Sequence, residues 1–138
     1  MIKTGKQIQG DIYTMLRNSK LARSLNGEVY RSGFRPRDSR KEDAVIIFTT
    51  GTADEVQSGV VTINIFVPDI DPDGNGTWVE NGRRTEQIEA LAQEWFNSLT
   101  ADKSNYKFSL NQAITTDAEE AIRQHFVVAR LNYDYYEV

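Results

Sequence analysis

The chain has 138 residues, one histidine (His125) and no cysteine, so disulfides, thiolate metal sites, cysteine nucleophiles and paired-histidine centres are all excluded. Hydrophobic residues make up 39% and aromatic residues 10%, enough for the ordinary core of one domain spanning 1–138. Net charge is −4, with a pI near 5.0, which argues against general or sequence-specific nucleic-acid binding.

In chain order, the first element is a helix. Ile8, Ile12, Met15 and Leu16 fall on one face at 3.6 residues per turn. Ser19 to Leu25 extends it or forms a second short turn, and Asn26-Gly27 is expected to supply a left-handed stop. A short strand is expected from Glu28 to Arg31, then an exposed loop from Ser32 to Lys41. Ala44 to Thr50 is a continuous β-branched and aromatic run, the pattern of a strand buried on both faces. Its five-residue core, Ala44 to Phe48, is the longest apolar run in the chain, so no membrane span is expected. The N-terminus has no apolar segment behind its charges, and no signal peptide is expected either.

Gly51 to Ser58 reads as a polar turn. Val61, Ile63, Ile65 and Val67 then alternate with Thr62, Asn64 and Phe66, a long period-2 strand that Pro68 ends. Asp69 to Gly82 is a long loop with a short strand through Thr77 to Val79. Ile88, Leu91, Ala92, Trp95, Phe96 and Leu99 form the broadest helical stripe. Tyr106, Phe108 and Leu110 alternate as a strand. Thr116 with Glu119, and Asp117 with Glu120, read as overlapping capping boxes of a short helix to about Arg123. Val127 to Tyr135 alternate as a final strand. Together these elements predict an α+β fold: a mostly antiparallel sheet of four to six strands with two main helices packed on one face.

Charge is distributed unevenly. Met1 to Lys41 carries a net +7, Glu42 to Gly82 a net −8 without one Lys or Arg, and the remainder a net −3. The blocks either neutralise each other within the fold or present opposite faces on which copies stack head to tail.

Four constellations bear on chemistry or contact. Asp69, Asp71, Asp73, Gly74 and Glu80, with Asn75 among them, satisfy the D-x-D-x-D-G-x₅-E calcium-loop spacing. Alternate carboxylates at this spacing can converge on one hard cation. A strand leads into the loop where an EF-hand has a helix, and Pro72 and Gly76 fit poorly, so a plain hairpin loop is the competing reading. His125 as a general base would need a nucleophile and an orienting acid, and no recognisable frame supplies them. Arg35, Arg37, Arg40 and Lys41, beside Phe34, form a basic loop, either solvated or touching an acidic partner surface or passing DNA. Tyr133, Tyr135 and Tyr136 read as a strand with one packed face, or as anchors at a subunit boundary. No catalytic, cofactor or metal residue is assigned, and no enzyme activity is expected.

The order of elements resembles the small tail-completion (tail terminator) proteins of tailed bacteriophages, relatives of the head–tail joining proteins. The resemblance runs over the helix Ile8 to Leu16, Val29-Tyr30, the loop with Pro36 and the strand Val45 to Phe48. It continues through Val60 to Val67, the helix Glu86 to Leu99 and the strand His125 to Tyr133. It implies a structural virion protein, made in the host cytoplasm. Its partners would be copies of itself in a ring, the tail tube and the head connector. Two other classes compete: a calcium-binding interaction module on Asp69 to Glu80, and a small hydrolase using His125 or the carboxylate loop with a divalent metal.

Overall fold

Two 13-residue strands carry the architecture of the computed structural model, which describes residues 2–99 and 104–136. They are β3 (Val56–Pro68) and β6 (Gln124–Tyr136), paired antiparallel along their whole length from Val56↔Tyr136 to Pro68↔Gln124. On the β3 side, β2 (Ala44–Gly51) runs antiparallel and β1 (Val29–Arg31) lies parallel to β2. The other edge of β6 is shared: β4 (Tyr106–Leu110) lines Leu131 to Tyr135 and β5 (Thr115–Glu119) lines Gln124 to Val128. The result is an α+β fold with a six-stranded, mostly antiparallel sheet.

Three helices pack on the sheet: α1 (Gly5–Arg17), α2 (Lys20–Ser24) and α3 (Gly82–Leu99). Thr4 starts α1 with a reciprocal capping box, its hydroxyl accepting from the Gln7 amide while the Gln7 side chain accepts from the Thr4 N–H. Ile8, Ile12 and Leu16 from α1 and Ile88, Ala92 and Trp95 from α3 enter one core with Val61, Ile63, Ile65 and Val67 of β3. Val127, Ala129, Leu131 and Tyr133 of β6 complete it. The two periods explain this: the helical stripe and the alternate strand residues each present one apolar face, and burying them together removes both from water. Val45 and Val128 are also buried, at 8% and 3% exposure, yet lie outside that cluster. They belong to the alternate set of strand residues and point to the outer face of the sheet, away from the helices.

Several local expectations are corrected. Gly27 is not left-handed; the positive-φ glycines are Gly33, Gly74 and Gly76. Its glycine requirement is spatial, because a Cβ there would stand 2.1 Å from Asp43 Oδ1 and 2.5 Å from the Glu42 carbonyl oxygen. Residues 116–123 do not begin a helix. Thr115–Glu119 is β5, followed by a 3₁₀ turn at Glu120–Ile122 that closes a hairpin onto β6. Pairing with a long exposed strand edge outweighs local capping signals there. α3 starts at Gly82, four residues before Glu86, because Asn81 accepts the Arg84 and Thr85 amides through its side chain and carbonyl. The turn after β2 is shorter than 51–58, since Gly51 and Val56 to Ser58 are already paired in strands. β2 is buried on both faces only at Ala44 to Ile46; its far half emerges into solvent beyond an irregularity between Phe48 and Thr50.

Candidate interaction site at one end of the sheet

The ends of β3 and β6 and the start of α3 meet at one corner, and the three chemically suggestive segments of the sequence meet there too. β3 leaves the sheet at Pro68, and the Asp69 amide is held by the Arg123 carbonyl at 2.9 Å. Ile70 and Val79 then pair as a single antiparallel bridge, so residues 69–80 form a small hairpin. Its tip is built from its own polar groups. Asp71 accepts the Asn75 and Gly76 amides at 3.1 and 2.7 Å, Asn75 accepts the Thr77 amide at 3.0 Å, and Gly74 and Gly76 take φ of 66° and 84°.

The acidic residues therefore do different work. Asp69 Oδ1 lies 2.7 Å from His125 Nδ1, while Glu80 Oε1 lies 3.5 Å from His125 Nε2. Glu80 also accepts the Thr85 hydroxyl at 2.6 Å, tying the hairpin to the first turn of α3. Asp71 is turned to backbone amides, and Asp73 is exposed at the tip. No group of three His, Asp or Glu side chains among the described residues is arranged to hold a metal ion. His125 joins the two ends of the hairpin through Asp69 and Glu80, and Glu80 leads on to the buried Thr85 hydroxyl.

The basic loop lies against the same corner in its own chain. Arg35, expected in a solvated loop, is instead a buried clamp. Its Nε donates to Asp43 at 2.9 Å, Nη2 donates to Gln124 Oε1 at 3.0 Å, and the guanidinium stacks 4.1 Å above the Phe66 ring. Asp43 also accepts from the Ser39 hydroxyl and the Glu28 amide. Arg40 donates to the Ile122 carbonyl, and Arg40 and Arg123 flank the Trp78 ring at 6.0 and 5.5 Å. Arg37 and Lys41 remain exposed, and Phe34 is the most exposed large apolar residue of the described chain at 69%. Ile70, Trp78 and Val79 are also exposed.

The charge blocks thus neutralise each other in part. Besides Arg35–Asp43, Arg84 grips Glu42 with Nε at 2.6 Å and Nη2 at 2.8 Å, and this hydrogen bonding raises the Arg84 pKa. The tyrosines at the other end of β6 divide. Tyr133 and Tyr135 are core residues, and Tyr136 alone of the three stays at the surface, under the Lys107 ammonium. Tyr106 packs on both buried tyrosines and donates to Asp11 at 2.6 Å; burial, then that bond, raises its pKa. The Lys3 ammonium also holds Asp11; burial works against its charge, but the Asp11 contact prevails and its pKa is raised.

Sequence reasoning missed the His125–Asp69 pair because the partners are 56 residues apart. The signal was present in the two long alternating strands: once Val67 opposes His125, Asp69 must lie beside it. Gln9 was also unforeseen, a buried helix glutamine that donates to the Ile46 carbonyl and accepts from Arg31. Nothing local marks it as a link between α1 and two strands.

No family model matches the chain. No curated protein matches it either. A solved structure without a descriptive name aligns over 96% of this chain and 96% of its own, at 16% identity and a TM-score of 0.45.

Proposed function

We propose that this chain is a non-catalytic assembly subunit of the tail-completion type, which self-associates into a ring on a phage or prophage tail tube and offers a surface to the head connector. The observation that carries this reading is a set of large apolar side chains left in water: Phe34 at 69% exposure on the basic loop, and Ile70, Trp78 and Val79 at 39%, 39% and 44% on the 69–80 hairpin. Aromatic and aliphatic side chains left in this way are of the kind that serve as anchors at protein interfaces. The order of elements across the chain agrees with the same class.

Light scattering across a concentration and salt series tests the reading, together with co-sedimentation with purified tail tubes. Oligomers that dissociate as salt rises, or saturable binding to tubes, are the expected results. A strict monomer at millimolar protein and low salt, with no tube binding, overturns it.

A further inference from the structure

We propose that Asn75, at the tip of the 69–80 hairpin, is a self-modification site. Its side-chain amide is converted to a carboxylate through intramolecular attack by the Gly76 nitrogen, with Asp71 as the base. The inference is independent of the assembly reading.

The backbone nitrogen that follows an asparagine can attack the side-chain Cγ, and glycine hinders this least because it has no Cβ. The chain has three Asn-Gly pairs: Asn26-Gly27, Asn75-Gly76 and Asn81-Gly82. Their sequences rank them equally, and their surroundings do not.

At Asn75 both reacting groups are already engaged. The Gly76 N–H, which must lose its proton for the nitrogen to attack, donates to Asp71 Oδ2 at 2.7 Å. Asn75 Oδ1, where negative charge develops, accepts the Thr77 N–H at 3.0 Å. A carboxylate on the nucleophile and an N–H on the electrophile's oxygen are the base and the oxyanion donor of an acyl transfer. Asp71 Oδ1 accepts the Asn75 N–H at 3.1 Å, which fixes the base beside the pair. Asn75 and Gly76 are exposed to water, and the space where a Gly76 Cβ would stand is open.

The other two pairs lack this arrangement. Asn26 Oδ1 accepts the Glu42 N–H at 2.7 Å, and the Gly27 N–H donates to the Glu42 carbonyl, which is not a base. Asn81 Oδ1 caps α3 by accepting the Arg84 N–H, and no carboxylate takes the Gly82 N–H among the described residues.

The reaction balances with water as the only co-reactant. Asp71 takes the Gly76 proton as the N–Cγ bond forms, the proton passes to Nδ2, and the Cγ–Nδ2 bond breaks to release ammonia. Water then opens the cyclic imide at either carbonyl, leaving aspartate or isoaspartate. The tip thereby gains a negative charge beside Asp71 and Asp73.

Peptide mapping by mass spectrometry, with isoaspartate detection, tests this on the folded chain held for days at mildly alkaline pH. Asn75 should convert while Asn26 and Asn81 stay intact; in urea, where the hydrogen bonds are lost, the three pairs should react at similar rates. Asp71→Asn keeps an acceptor for the Gly76 N–H but removes the base, and should slow conversion of Asn75 at least about fivefold. Asp73→Ser, which removes a neighbouring carboxylate that does not touch Gly76, should leave the rate unchanged. A hairpin that reacts merely because it is exposed would react as fast or faster in Asp71→Asn, and that result overturns the proposal. So does an Asn75 that stays intact in the folded chain while the unfolded chain converts, or equal conversion of all three pairs in the folded chain.

Discussion

Arg35 and Asp43 are eight residues apart in sequence and meet as a buried ion pair, Nε to Oδ2 at 2.9 Å, with side chains only 10% and 2% exposed. The pair sits where the basic N-terminal block passes into the acidic one, and it folds the Ser32–Lys41 loop back onto the end of the sheet. Removing the arginine would strand a buried carboxylate that still faces Ser39 and the Glu28 amide. Arg35→Ala is expected to cost about 3–5 kcal/mol, the range for breaking one partner of a buried pair, whereas Arg37→Ala, in the same loop but exposed, should cost under about 0.5 kcal/mol. Urea denaturation of both variants checks this. Equal losses would mean that the loop is held by something other than the clamp.

The two tryptophans provide a second contrast. Trp95 is 6% exposed on the inner face of α3, and Trp78 is 39% exposed between Arg40 and Arg123. Trp95→Ala should destabilise by roughly 3–5 kcal/mol and Trp78→Ala by about 1 kcal/mol or less. Denaturant midpoints at constant m-value decide between them, and similar losses at both positions would contradict the packing of α3 on the sheet.

The tyrosine cluster is expected to make stability fall at alkaline pH. Tyr106 is raised above its ordinary value of 10.0 by burial and by Asp11, and Tyr133 is raised by burial. The folded state therefore resists an ionisation that the unfolded state undergoes. The stabilisation is complete below pH 10 and is lost as pH climbs from there toward the folded-state values. Tyr106→Phe should lose about 1.5 kcal/mol at neutral pH with the Asp11 hydrogen bond, yet show a shallower decline between pH 10 and 12. Tyr133 keeps some slope in that variant. An unchanged alkaline slope would show that Tyr106 ionises as freely folded as unfolded.

For the acidic hairpin the expected result with calcium is no thermal shift at millimolar concentration. Asp69 and Glu80 face His125 while Asp71 faces backbone amides, so a cation would have to break existing bonds to gather its ligands. A rise of several degrees that Asp71→Ala abolishes would overturn this and favour a calcium-binding module.

Periodicity alone determined much of this protein. The alternations from Val61 to Val67 and Val127 to Tyr135 bury the residues their spacing selects, and the stripe from Ile88 to Leu99 does so with Leu91 and Phe96 only partly covered. An α+β sheet with helices on one face follows from those patterns, because amphipathic period is a local property that survives any arrangement of the elements. What only the tertiary structure decided is which local surfaces meet. Thr115 to Glu119 carries helix-capping signals but becomes a strand, since the edge of β6 offers backbone partners that a capping box does not. Gly27 is required by Asp43 rather than by its own torsion. His125 finds Asp69 through strand register, and Arg35 is withdrawn from solvent because its loop folds back onto Asp43, Gln124 and Phe66 at the end of the sheet. Register is set by the summed burial of both faces over 13 paired residues, a long-range quantity that no single stretch of sequence contains.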